Sequence, residues 1–219
     1  MAALPNSWLK SLLLIEFVFL FVALPCLFYG LRYQVAPYLM FILITLFVWC
    51  LLLLLADSRF KRFRLWNLQQ FRPFLPKVLK HFLAAAVSIN LATWYLAPDW
   101  LFALPLEQTI MWLGLLLLYP VLSAWPQEVI FRTYLFHRYK RLFKSKQLRA
   151  WLSAGCFALA HLMFANWIAV VGAFIAGLVF AFTYMHSRST VLVAVEHSLW
   201  GCWLFTAGLG VHFDSTRLV

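Results

Sequence analysis

Glu128 lies in a long apolar stretch, four residues before Arg132, in Trp125-Pro126-Gln127-Glu128-Val129-Ile130-Phe131-Arg132. Two later apolar segments each embed one histidine, His161 in Phe157-Ala158-Leu159-Ala160-His161 and His197 in Glu196-His197-Ser198-Leu199-Trp200. An ionisable group in hydrocarbon costs several kcal/mol on most scales, so it is seldom placed there without a partner or a task. A carboxylate with two histidines suits water activation. The carboxylate serves as general base, one histidine positions the water or shares its proton, and the other stabilises the oxyanion of an attacked carbonyl. The same trio, His161, His197 and Glu128, also forms a plausible zinc set with water in the fourth position, although the chain has no HExxH. A haem held by the two histidines would leave Glu128 and Arg132 without a task. Each residue has a plainer role open to it: Glu128 and Arg132 at i and i+4 as a structural ion pair, and each histidine as a helix–helix bond.

Elements that position such groups follow from composition. The 219 residues are 65% hydrophobic and 11% charged, with mean hydropathy +0.86, outside the range of soluble domains. The fold class expected is an all-α polytopic membrane helix bundle of about seven spans (six to eight), forming one membrane-embedded domain over 1–219. The spans are read as Leu9–Tyr29, Val35–Ala56, His81–Ala97, Thr109–Phe136, Ala150–Phe164, Trp167–Met185 and Thr190–Leu209. The first is expected to be retained, because no small-x-small cleavage pattern follows its apolar run. Residues 57–80, where Phe60, Phe63, Trp66 and Phe71 interleave with bases, are either an interfacial segment or an irregular basic loop.

Net charge of +11 would suggest nucleic acid in a soluble protein. Here the bases cluster between apolar spans, at Arg59–Lys80 and Arg138–Arg149, and face anionic headgroups rather than nucleic acid. The loop from Asp99 to Glu107 holds two acids and no base. The N-terminus is therefore expected in the cytoplasm and the C-terminus outside, in a plasma (inner) membrane protein. Only Arg32 and Arg217 fall on the wrong side. Cys26, Cys50, Cys156 and Cys202 form no CxxC and are expected as free buried thiols. Glu16 in the first span has no matched partner in the sequence and is expected as packing glue between helices or a pore-lining group. Glu196 need not share the pocket with His197, and His81, His137 and His186 are expected at the interface. Gly172 and Gly177 miss GxxxG spacing, so no such association face is expected.

Helix rise places Glu128 roughly 12 Å, His161 roughly 17 Å and His197 roughly 11 Å from the cytoplasmic ends of their spans. The agreement points to a shared, water-accessible pocket in the cytoplasmic half of the membrane.

These residues resemble the CAAX-processing protease and bacteriocin-processing family (CPBP, or Abi) of intramembrane proteases. That family carries EExxxR, FxxxH, and a histidine followed four residues later by asparagine or a hydrophobic residue. Gln127 to Arg132 resembles the first motif, Phe157 to His161 the second, and His197 to Gly201 the third, within about residues 105–210. The resemblance implies an intramembrane glutamic-type or metal-dependent protease acting on a membrane-associated protein or peptide. In that reading Glu128, His161 and His197 are catalytic and Gln127 and Arg132 support them. Two positions depart from the pattern: Gln127 replaces the first glutamate and Gly201 the asparagine. Glutamine can hold water but cannot accept its proton. A catalytically silent membrane scaffold or immunity protein is therefore the alternative. No cofactor is required, with zinc as the open exception.

Overall fold

The computed structural model describes residues 6–213, so Arg217 and the C-terminal end lie outside the described residues. Every regular element among them is helical. Six helices are long and apolar enough to span a membrane, and the protein is an integral multipass membrane protein. The principal helices are α1 (Ser7–Gly30), α2 (Arg32–Ala56), α3 (Phe71–Leu96), α4 (Thr109–Arg141), α5 (Lys146–Ala160), α6 (Trp167–Ser187) and α7 (Thr190–Ala207). Large apolar side chains such as Phe41, Leu83, Tyr95, Ile110, Leu117 and Ile175 form an exposed outer belt. Hydrocarbon, not water, is the solvent that tolerates so much exposed apolar surface.

Two boundaries differ from the sequence reading. The third span begins at Phe71, ten residues earlier than expected, so part of the supposed loop is helix. Pro73 falls in the first turn, where a missing N–H costs little. Arg72, Lys77 and Lys80 stay exposed on that helix, where long basic side chains can reach the headgroup layer. Before it, residues 57–70 hold only short 3₁₀ turns at Arg62–Leu65 and Leu68–Gln70. The second difference is α5. It has 15 residues and ends in a 3₁₀ turn, His161–Phe164, too short to rank with the six long spans.

α5 packs closely against α6 through small side chains. A Cβ on Gly177 would sit 3.1 Å from the Ala154 backbone, and Ala150, Ala154, Ala169, Ala173 and Ala181 are all buried. Alanine and glycine share this seam, which a search for GxxxG alone overlooks.

The ends of the bundle sort by charge. Thr190 Oγ1 donates to the Arg64 carbonyl (3.0 Å), Ser189 Oγ to the Asn67 carbonyl (3.0 Å), and His137 Nε2 lies 2.8 Å from Asp57. These bonds tie the basic 57–70 segment, the end of α4 and the α6–α7 turn together. At the other end Trp112 Nε1 donates to Thr206 Oγ1 (2.9 Å), beside the loop carrying Asp99 and Glu107. Gly208 there has φ of +104°, and a Cβ would strike the Trp100 carbonyl.

Several polar groups have partners the sequence did not disclose. Glu16 accepts from Tyr134 (2.8 Å), Tyr139 (2.9 Å) and both Arg138 Nε (2.9 Å) and Nη2 (2.6 Å), so the expectation of no matched partner is corrected. His81 is not simply interfacial, because its Nδ1 lies 2.6 Å from the buried Glu196. His137 is buried as well, whereas His186 is exposed. All four cysteines are free, but only Cys50 and Cys156 are buried; Cys202 is half-buried and Cys26 exposed.

Candidate active site

The helix that carries the first motif is not a regular α-helix. In α4, π-helical turns at Pro120–Ala124 and Val129–Tyr134 flank the single α-turn Trp125–Glu128. Pro126 lacks the N–H that would bond the Leu122 carbonyl, and widening the turn accommodates that loss. Such interruptions rotate the later residues relative to a regular helix. Gln127 and Glu128, adjacent in the α-turn and so about 100° apart on the helix, meet different surroundings.

Glu128 is fully buried. Its Oε1 lies 2.7 Å from His197 Nδ1, and its Oε2 lies 3.1 Å from Arg132 Nε. The contact with Arg132 is an ion pair whose atoms are not aligned as a hydrogen bond. Arg132 is also fully buried. It donates through Nη2 to the Gly177 carbonyl (3.3 Å) and sits over the Phe157 ring, 4.4 Å from its centroid. Removing either member of this pair would strand the other charge in the interior.

His197 is held from several sides. Its ring stacks on Phe180 with centroids 4.8 Å apart and meets Phe157 edge-on at 5.6 Å. A carboxylate accepts, so Nδ1 carries the proton toward Glu128, and the neutral tautomer of this ring presents a lone pair at Nε2. The Tyr119 hydroxyl lies 3.0 Å from that nitrogen and donates to it.

His161 occupies the junction between α5 and its terminal 3₁₀ turn. Its Nδ1 lies 2.7 Å from the Phe157 carbonyl, an acceptor only, so its Nε2 is likewise the unprotonated nitrogen. Phe157 lies between the two histidines, with its centroid 4.6 Å from the His161 ring. The second motif thus supplies a spacer as well as a histidine.

These groups meet at a cavity of about 1140 Å³ among the helices. Its wall is mainly Leu, Ile, Phe and Ala, with a polar patch at Tyr119, Ser123, Gln127, His161 and His197. Gln127 Nε2 donates to Ser123 Oγ (2.7 Å). Of the motif's two polar neighbours, Gln127 lines the cavity, while Glu128 lies behind His197 and does not.

Tyr119 was not anticipated. Its position is linked to the glycine that departs from the third motif: a Cβ on Gly201 would collide with the Tyr119 ring and hydroxyl. The space that a side chain at position 201 would fill holds a tyrosine from α4. The available signal was a side chain missing from one helix and a lone hydroxyl in an otherwise apolar run of another.

The residues do not fit a three-ligand metal site. His197 Nδ1 and both Glu128 oxygens face one another or Arg132, leaving only the two Nε2 atoms toward the cavity. Among the described residues no group of three His, Cys, Asp or Glu stands in a metal-holding arrangement.

Residues 109–203 match the family described as type II CAAX prenyl endopeptidase Rce1-like. The matched stretch contains Tyr119, Gln127, Glu128, Arg132, His161, His197 and Gly201. No curated protein and no solved structure matches the chain.

Proposed function

We propose that this chain, whose residues 109–203 match the family described as type II CAAX prenyl endopeptidase Rce1-like, hydrolyses a peptide bond of a membrane-associated protein or peptide. The observation that carries the reading is the buried Glu128 carboxylate 2.7 Å from His197 Nδ1, with the opposite face of that histidine on the cavity.

In the proposed mechanism, substrate binding turns the Tyr119 hydroxyl from His197 Nε2 toward the substrate carbonyl. Water then hydrogen-bonds through its two protons to the lone pairs at Nε2 of His161 and His197, leaving its oxygen free to attack. As the new C–O bond forms, His197 Nε2 takes one water proton. The imidazolium is stabilised by Glu128, which acts through His197 and shares the resulting charge. The carbonyl electrons move onto oxygen, where the Tyr119 hydroxyl and the second Gln127 amide proton are available donors. Collapse of this intermediate breaks the C–N bond, and His197 returns its proton to the leaving amine. Arg132, 3.1 Å from Oε2, fixes the Glu128 carboxylate in place. No step uses a metal.

The cavity favours an apolar or lipid-modified peptide, because its wall offers few polar partners away from the site. Entry from the cytoplasmic half fits an orientation with the basic end, and the N-terminus, in the cytoplasm and the C-terminus outside. A plasma-membrane location belongs to the same proposal.

A second reading is a silent scaffold or immunity protein. It is favoured by Gln127, the cavity-facing member of the first motif, which cannot accept a proton. Purified protein in nanodiscs, incubated with prenylated CAAX peptides and apolar helical peptides, separates the two by mass spectrometry. The protease reading expects products that vanish with His197→Ala. The scaffold reading expects none, and a cellular phenotype that survives His197→Ala at normal abundance.

A further inference from the structure

A second, smaller pocket of about 130 Å³ opens at the basic end of the bundle, away from the catalytic groups. Arg64, Lys146, Arg149 and Arg188 line it, together with Phe136, Tyr184 and Met185. Four cations from three separate parts of the chain meet there, and none of its lining residues is a carboxylate. We propose that this pocket binds a phosphate group, either the phosphodiester of an anionic phospholipid headgroup or free inorganic phosphate.

The arrangement is built rather than incidental. Arg149 is only 7% exposed. It donates through Nη1 to the Phe143 and Lys144 carbonyls, which fixes the guanidinium under the α4–α5 loop and near the Phe136 ring. Its Nε is buried without an acceptor, and so is that of Arg64. The Arg64 charge acts repulsively on Arg149. Arg64 is held in turn by its carbonyl, which accepts from Thr190 Oγ1 (3.0 Å). Like charges gathered and anchored in this way destabilise the fold unless an anion neutralises them.

Local backbone adds to the effect. Lys146 and Arg149 stand in the first turns of the 15-residue α5, where the positive end of the helix dipole disfavours bases and attracts anions. Arg188 closes the opposite side from the left-handed residue that ends α6, at φ of 52°. Guanidinium forks and an ammonium around so compact a space match a tetrahedral, multiply charged oxyanion. The pocket is too small for a whole lipid, so an acyl-bearing ligand would insert its phosphate and leave its chains along the bundle. The level of the pocket, where the loops meet the spans, is that of the headgroups.

The test uses full-length protein. Native mass spectrometry after equilibration with equal phosphatidylglycerol and phosphatidylcholine of matched chains reads lipid retention. Equilibrium binding of radiolabelled inorganic phosphate forms the second arm. Arg188→Gln with Lys146→Gln removes two exposed cations and leaves the loop-holding Arg149 in place. Arg72→Gln with Lys77→Gln removes equal charge elsewhere on the basic face. Phosphatidylglycerol should be retained about tenfold or more over phosphatidylcholine, fall toward parity in the first variant and persist in the second. Saturable phosphate binding without lipid preference, lost only in the first variant, would assign the pocket to free phosphate. Absence of both anions, or equal loss in the two variants, would overturn the proposal.

Discussion

Replacing Gly201 with alanine tests the link between the third motif and Tyr119. In an isolated helix interior the change stabilises by about 1 kcal/mol, because glycine loses more backbone freedom on folding. Here the added Cβ would fall on the Tyr119 ring and hydroxyl. Gly201 lies inside α7 and Tyr119 is held against Phe205 with centroids 5.6 Å apart, so neither can move without repacking. Overpacking of this kind costs about 1–3 kcal/mol. Displacing the hydroxyl from His197, 3.0 Å away, adds about 1 kcal/mol. The net expectation is destabilisation by about 1–3 kcal/mol. In a Tyr119→Ala background the obstacle is absent, so Gly201→Ala should be neutral or stabilising by about 1 kcal/mol. The sign of the same substitution should therefore reverse. Equilibrium unfolding in mixed detergent micelles, measured on all four members of the cycle, reads the coupling. An effect of Gly201→Ala that is the same in both backgrounds would refute the argument.

Other outcomes rest on the same geometry. Tyr119→Phe keeps the ring but removes one oxyanion donor, so turnover should fall by about tenfold or more while folding is retained; unchanged turnover would remove Tyr119 from the mechanism. Glu16→Gln weakens bonds from Arg138, Tyr134 and Tyr139 and should destabilise by about 2 kcal/mol in the same micelle titration. No loss there would mean that the cluster contributes little. Reporter fusions after Lys146 and after Glu107 should report opposite compartments. A common compartment would defeat the proposed orientation and the depth argument built on it.

The membrane class and helical architecture were legible from hydropathy alone, since no soluble fold leaves this composition room for a polar surface. Paired prolines and bases obscured the start of α3. A hydropathy window reads Arg72, Lys77 and Lys80 as loop, although on a helix they simply point outward. The shared depth of Glu128 and His197 was readable from helix rise, and the 2.7 Å contact between them is the atomic form of that agreement. Which of Gln127 and Glu128 faces the cavity was not readable. It depends on the π-turns around Pro126, and a regular helical wheel misplaces the residues beyond such turns. Tyr119 and the partners of Glu16 were hidden for a different reason. Each contact joins residues 78 to 123 positions apart, and nothing in either segment alone marks the other.

The central claim is that Glu128 drives proteolysis through His197, and Glu128→Gln addresses it most directly. The amide retains the size of the carboxylate, and its carbonyl can still accept the His197 Nδ1 proton, but the charge that stabilises an imidazolium is gone. Glu128→Gln also leaves Arg132 without its counter-charge and lowers stability, so peptide cleavage is normalised to the folded protein in nanodiscs. Per folded molecule it should fall by at least about 100-fold. Cleavage within a few-fold of the unmodified protein would contradict the account.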